Sequence, residues 1–290
     1  MAYPTLYVCD FARAKYSAVS SIPDNSSLSA QNTVDGDPNS LWIPGDTSAQ
    51  WLCVLPVARV VLGIAISNHN LKGALISVKC SYNNSWYDTA ITDEMVDTDE
   101  DLLYRFACPV PAAGTVRIDL SDGQNGNIKV GCISVLGDYG YSAAGVLTQG
   151  GGFGIIEIGG ADSGHVMYPL SVAGDAGISA VVSSGGFTQF QRMGGSTEMI
   201  VLPMGLMRAS RDYEMSRLFN AYYPRTKGEF SNPGFSKGCW LTSDEYSTDA
   251  PTVRYCVGVP SAPLRYQVDA AGSRSSGELV LRTLARDALT

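Results

Sequence analysis

The chain offers few groups that could act as a base near neutral pH: it has two histidines, His69 and His165. His165 closes the run Asp162-Ser163-Gly164-His165, which puts a hydroxyl close to an imidazole. Nucleophilic catalysis by such a pair also needs an orienting acid aimed at the imidazole, and nothing in the spacing brings one there. A polar turn entering a strand accounts for the run. Gly150-Gly151-Gly152-Phe153-Gly154 leads into a strand-like segment, and no Lys-Ser or Lys-Thr follows it. A phosphate cradle needs those donors or a helix N-terminus, so this run reads as a turn or linker. Asp35-Gly36-Asp37 presents hard oxygens of the kind calcium takes. Its spacing matches no defined loop, and Asx and Gly turn chemistry explains it equally well. Asp35 and Asp37 are therefore the weak candidates for a cation, and no metal requirement is expected. Trp42 and Trp51 are the rings that could stack on a sugar, although such tryptophans more often pack in a sandwich core. The remaining carboxylates fall mostly in loop-like segments, and no pair is placed for acid–base work. The expectation is a protein that is not an enzyme and uses no cofactor.

The seven cysteines are Cys9, Cys53, Cys80, Cys108, Cys132, Cys239 and Cys256. Their odd number, wide spacing and lack of a Cys-x-x-Cys pair give no zinc signature. Cys53, Cys80, Cys132 and Cys256 sit in apolar runs, as small buried hydrophobes do, and all seven are expected as reduced thiols.

The elements that must position any site are strands. Of 290 residues, 45% are hydrophobic and 17% charged, which is enough apolar material for real cores. The net charge of −8, with no stripe of Lys or Arg, argues against nucleic acid, whose binding needs concentrated positive charge. No apolar run is long enough to span a bilayer, and the first residues lack the basic start and apolar core of a secretory signal. Apolar runs at 50–55, 60–67, 75–81, 85–91, 102–108, 116–120 and 128–136 predict short antiparallel strands. The run 60–67 is apolar at most positions and is expected to be buried on both faces. In 75–81 and 116–120 apolar residues alternate with Ser77, Lys79, Ser81, Arg117 and Asp119, which should point outward. The acidic segment 93–101 reads as a solvated loop, and 20–32 as an extended one. Composition changes after residue 136, so the chain is expected to divide near residue 140, with the Gly-rich 137–150 as the boundary. More strands follow, with one amphipathic helix at 210–222, capped by Ser210, ended by Pro224 and striped with Tyr213, Met215, Leu218, Phe219 and Tyr222. The fold class is thus mainly β: two β-sandwich or jelly-roll-like domains, 1–140 and 141–290, the second with one helix.

The stretch 34–80 resembles the discoidin-like, galactose-binding-like jelly rolls. It carries the Val-Asp-Gly-Asp turn at 34–37, then Trp42, then a strand around Gln50-Trp51-Leu52. It is similar, more specifically, to a β-rich virion family of tailed phages through Ile66-Ser67-Asn68-His69-Asn70-Leu71, Val116-Arg117-Ile118-Asp119-Leu120, the turn 121–127 and Ile128-Lys129-Val130-Gly131. Residues 208–223, 255–257 and 264–268 resemble distal-tail-like proteins more weakly. The resemblance implies a structural virion component, a tail-tip or baseplate protein assembled in the host cytoplasm. Its partners would be other tail and baseplate proteins, bound as an oligomer or ring through surfaces and sheet edges. The interaction candidates are Trp42, Trp51 and the corner Asn68, His69 and Asn70, which is expected either as a loop-tip contact or as an element that fixes the corner, with the two asparagines bonding backbone there. The rival readings are a carbohydrate-binding module for a host glycan and a capsid decoration protein. An exposed tryptophan or tyrosine pair near 34–51 would mark the sugar binder, and buried Trp42 and Trp51 the assembly protein.

Overall fold

The structure is a computed structural model that describes residues 5–7, 17–20, 28–82, 85–121, 123–124, 126–138, 155–157, 171–175, 178–182, 188–192, 197–203, 206–207, 239–242, 253–258, 266–268, 274–276 and 278–284. The helix expected at 210–222, the Gly-rich run 150–154 and the Ser163/His165 pair lie outside them. The fold is mainly β, as its composition demands. The strands are β1 (Thr5–Tyr7), β2 (Ser17–Ser20), β3 (Ala49–His69), β4 (Leu75–Tyr82), β5 (Ser85–Asp88), β6 (Glu94–Met95), β7 (Leu102–Ser121) and β8 (Val130–Asp138). They continue as β9 (Ile155–Glu157), β10 (Ser171–Asp175), β11 (Ile178–Val182), β12 (Thr188–Arg192), β13 (Thr197–Pro203), β14 (Leu206–Met207) and β15 (Cys239–Thr242). The last are β16 (Val253–Gly258), β17 (Tyr266–Val268), β18 (Arg274–Ser276) and β19 (Glu278–Thr283).

The first sheet runs β2-β3-β7-β4-β5, with β6 also paired to β4 and β8 to β3, all antiparallel. Two strands are longer than the sequence suggested. The runs at 50–55 and 60–67 are the two ends of β3, and those at 102–108 and 116–120 are the two ends of β7. The β3–β7 register shifts between Val54 and Arg59, Arg59 and Val61, and Val61 and Gly63. Pro56 in β3, and Pro109 and Pro111 in β7, cannot donate to a ladder, which is why regular pairing lapses there. Each strand thereby contributes to both layers of a sandwich. Trp51, Cys53, Ile76, Val78, Ile118 and Leu120 from one layer share a core with Ile64, Ile66, Ile133 and Val135 from the other. At the end of the bulged stretch, a Cβ on Gly63 would collide with the Tyr104 carbonyl oxygen, so only glycine fits.

The acidic segment 93–101 is not simply a loop, because β6 pairs Met95 with Leu75 and Glu94 with Ile76. Within 20–32, residues from Ala30 begin a 3-10 turn, Ala30–Val34, whose Ala30, Thr33 and Val34 are buried. The second large sheet runs β10-β13-β19-β16-β15-β1-β9, beside the β11-β12 hairpin and the three strands β14-β18-β17. In it β1 pairs with β15 and β9, so a strand from the start of the chain completes the later sheet.

The two-faced burial expected of 60–67 is seen, and its second cover comes from far along the chain. Ala65, Cys132 and Leu136, on the outer face of β3 and β8, pack with Trp240, Val253 and Tyr255. Trp240 Nε1 donates to Ser134 Oγ at 2.8 Å. The Tyr255 N–H donates to Asp101 Oδ2 at 3.0 Å, and its hydroxyl to the Gly36 carbonyl at 3.1 Å.

Candidate functional site

Of the residues singled out from the sequence, Trp42, Trp51, Asn68 and His69 are buried, whereas Asp35 and Asp37 are exposed. Trp42 and Trp51 are both 0% exposed. The Trp42 backbone bridges to Val130, and Trp51 Nε1 donates to Thr33 Oγ1 at 2.9 Å. Neither ring offers a surface to a sugar or to a partner. Asn68 has a left-handed φ of 53°, which asparagine tolerates better than most side chains. Its Nδ2 donates to the Pro38 carbonyl at 2.7 Å. The next layer of that contact is so close that a Cβ on Gly131 would strike the Pro38 oxygen. His69, 3% exposed, accepts the Leu71 N–H at Nδ1 (3.2 Å) and holds the Glu100 carbonyl with Nε2 (2.7 Å). Those two bonds together require the neutral ring with its proton on Nε2. Asn70 donates to the Asn127 carbonyl (2.9 Å) and accepts from the Lys129 N–H (2.8 Å). The corner therefore ties the 38, 100 and 127–129 segments together. Asp35 and Asp37 form consecutive Asx turns, accepting the N–H groups of Asp37 at 2.7 Å and Asn39 at 3.0 Å. Among the described residues no group of three or more His, Cys, Asp or Glu could hold a metal ion.

The arrangement able to recognise a ligand lies on the solvent side of the first sheet. Strand alternation sends Gln50, Arg117, Asp119, Lys79, Ser81, Trp86 and Asp88 to that side. Cross-strand register aligns Gln50 with Asp119, Lys79 with both Arg117 and Asp88, and Ser81 with Trp86. Trp86 comes from edge strand β5 and is 45% exposed. The Arg117 guanidinium lies 4.9 Å from its ring centroid, two strands away, and the small Ser81 between them leaves room for that reach. Arg117 Nε donates to Asp119 Oδ2 at 3.0 Å, and Asp119 Oδ1 accepts from Gln50 Nε2 at 2.7 Å. Lys79 Nζ sits 2.9 Å from Asp88 Oδ1. Half-solvated pairs of this kind add little stability, about 0–1 kcal/mol each, but they fix the angles of the planar groups around the ring. Alternation alone marks Lys79, Arg117 and Asp119 as outward. Trp86 was missed because only the order β7-β4-β5 brings it to them.

Desolvation raises the pKa of two groups, the buried Cys80 and the half-buried Tyr104. Desolvation pushes the Cys80 thiol up from 9.0 to about 12. Tyr104 is also raised, by burial first and then by the negative charges of Glu94 and Asp97. Cys53, Cys132 and Cys256 are likewise buried and in no disulfide. Since the thiolate is the nucleophile, Cys80 should resist alkylation at pH 8 in the native state and react at once when the protein is unfolded. Peptide mass spectrometry after iodoacetamide treatment reads this out, and rapid native labelling of Cys80 would refute it. The linkage runs the same way. An unfolded chain releases these protons from about pH 9 upward and the folded chain holds them, so stability should fall as pH rises from about 9 toward 12.

No family model and no curated protein sequence matches the chain. Solved structures do resemble part of it. One is the family 32 carbohydrate-binding module of Clostridium perfringens NanJ, in complex with galactose, at 17% identity over 46% of this chain and 98% of that one, with a TM-score of 0.38. Another is chitosan-binding module 1 of a Paenibacillus sp. IK-5 chitosanase/glucanase, at 17% identity over 44% and 99%, TM-score 0.39. A third is an F5/8 type C domain from Bacteroides fragilis, at 18% identity over 42% and 91%, TM-score 0.35. Each likeness covers less than half of this chain, and no ligand is carried over from it.

Proposed function

We propose that the chain is a non-catalytic carbohydrate-binding protein whose recognition surface is the Trp86 side of the first sheet. The observation that carries this reading is a half-exposed indole set among ordered planar hydrogen-bonding groups. A pyranose has an apolar C–H face and a rim of hydroxyls. An exposed aromatic ring desolvates the first, and guanidinium, carboxylate and amide groups address the second. One ring in a polar field suits a sugar better than a protein partner, since a stable protein interface buries on the order of 800 Å² per side around an apolar centre. Trp86→Ala should weaken binding to the chain's glycan at least tenfold, about 1.4 kcal/mol, and leave the melting temperature nearly unchanged because the residue is exposed on an edge strand. Glycan-array screening followed by titration calorimetry tests this, and a Trp86→Ala protein that binds like the parent overturns it.

A second reading has two observations in its favour. Trp42 and Trp51 are buried, and β5 ends the strand order of its sheet with Trp86 and Tyr87 exposed. Both suit a structural subunit of a phage tail tip or baseplate, bound to its neighbours through a sheet edge. On this reading the chain is found on purified particles, and immunogold labelling of the tail end decides it. A virion protein that also grips a host glycan would satisfy both readings.

A further inference from the structure

Resting on the carbohydrate reading, we infer that the Trp86 surface selects uncharged glycans, and that Asp119 and Asp88 impose this choice by cancelling Arg117, which stacks on the ring, and its cross-strand neighbour Lys79. An exposed arginine stacked on a tryptophan would by itself attract the carboxylate or sulfate of an acidic sugar. Here Arg117 is not a lone charge. Asp119 holds its Nε at 3.0 Å, and the second oxygen of that carboxylate is fixed by Gln50 at 2.7 Å. The other nearby cation, Lys79, has Asp88 at 2.9 Å across the β4–β5 ladder. Each positive group thus carries its own counter-charge on the same surface.

The consequences for a ligand follow from geometry. A sugar carboxylate brought to the guanidinium of Arg117 would also come within a few ångströms of Asp119. It would have to displace that partner or be repelled by it, in a chain whose net charge is already −8. A hydroxyl meets no such penalty. Only Nε of Arg117 is hydrogen-bonded among the described residues, so its remaining N–H groups still offer donors to hydroxyl oxygens, beside the negative charge of Asp119. The ring supplies the stacking plane. The ligand class is therefore a neutral pyranose glycan lying across β5, β4 and β7.

The test uses probe pairs in which the charge is removed from one skeleton, 3′-sialyllactose against its methyl ester and glucuronic-acid-substituted xylotetraose against its methyl ester, with lactose and xylotetraose as unsubstituted controls. These are backed by an array holding both neutral and acidic glycans. The full-length protein should bind neutral members at least tenfold better than acidic ones, and Trp86→Ala should abolish that binding. Asp119→Asn, nearly isosteric, leaves Arg117 uncompensated and should raise the acidic-to-neutral affinity ratio at least fivefold, more at low salt than at high. Asp88→Asn should move the ratio the same way through Lys79, which covers the case in which the first variant misfolds. Trp86-dependent binding that favours acidic glycans overturns the selectivity and leaves the carbohydrate reading standing. Ratios unchanged in both variants overturn the role of the carboxylates. An array without hits, or with hits indifferent to Trp86→Ala, overturns the carbohydrate reading and this inference with it.

Discussion

Trp51→Ala should destabilise the protein by about 3–5 kcal/mol, a large share of the roughly 5–15 kcal/mol that holds an ordinary domain together. The indole is fully buried in β3, at the centre of the core shared by the two layers of the sandwich. Its removal leaves a cavity that neighbouring strands, locked in their ladders, cannot close. A hydrogen bond goes with it: Trp51 Nε1 donates to Thr33 Oγ1 at 2.9 Å, and that hydroxyl donates onward to the Ala30 carbonyl at 2.7 Å. The chain from indole to hydroxyl to carbonyl pins the 3-10 turn Ala30–Val34 onto the sandwich. Trp51→Phe should restore most of the apolar contact and still cost about 1–2 kcal/mol for the lost bond. Thr33→Val should cost about 1–3 kcal/mol, because it strands the indole N–H in the core. In a double-mutant cycle the Phe and Val changes should therefore be clearly non-additive. Urea unfolding with an unchanged m-value is the measurement. If Trp51→Ala stays within 1 kcal/mol of the parent, the core has been misread.

What the sequence discloses about this fold follows from what alternation can and cannot encode. The outward sets Lys79/Ser81 and Arg117/Asp119 are legible because a half-solvated strand repeats every two residues. Ser77, expected outward by the same rule, is only 8% exposed, because the segment around β6 reaches it and Ser77 Oγ donates to Asp93 Oδ1 at 2.9 Å. The continuous apolar run at 60–67 is legible as doubly buried. Its cover is not, because Trp240 bonds to Ser134 across 106 residues of sequence and no local pattern records that. The joining of 50–55 and 60–67 into one bent strand escapes as well, since the bulged residues between them lose the period that would announce a strand. For the candidate site, residue type misleads. Tryptophan suits a sugar platform and a sandwich core equally, so Trp42 and Trp51 drew attention ahead of Trp86. What separates them is strand position: Trp51 lies on an interior strand between β2 and β7, and Trp86 on edge strand β5. Asn68, His69 and Asn70 show a related limit. Polar side chains at a corner read equally as contacts offered outward or as groups that fix the corner, and the structure has them fixing it, with donors and acceptors matched to the backbone of three neighbouring segments.

Trp240→Ala should cost about 3–5 kcal/mol as well, with a signature that Trp51→Ala lacks. Trp240 is 1% exposed and tilts against Tyr255 at a centroid distance of 5.0 Å. Together they cover Ala65, Cys132 and Leu136 on the outer face of β3 and β8. Without the indole that face loses its largest cover, and Ser134 Oγ loses the N–H that bonds to it. Water then reaches Cys132 from the outside, and the inner core is untouched. Native alkylation of Cys132 should therefore quicken at least tenfold, and Cys80, in the other layer, should remain blocked. Trp51→Ala acts on the shared inner core and should not open Cys132 selectively. Hydrogen exchange should agree, with protection falling first at the ends of β8 and at the Tyr255 amide, which donates to Asp101. Ser134→Ala supplies the smaller control: it keeps the aromatic cover, removes only the acceptor of Trp240 Nε1, and should cost about 1–3 kcal/mol without exposing the thiol. If Cys132 in the Trp240→Ala protein stays as slow as Cys80, Trp240 does not seal that face. The packing of the later sheet on the sandwich would then rest on Tyr255, Val253 and Leu284.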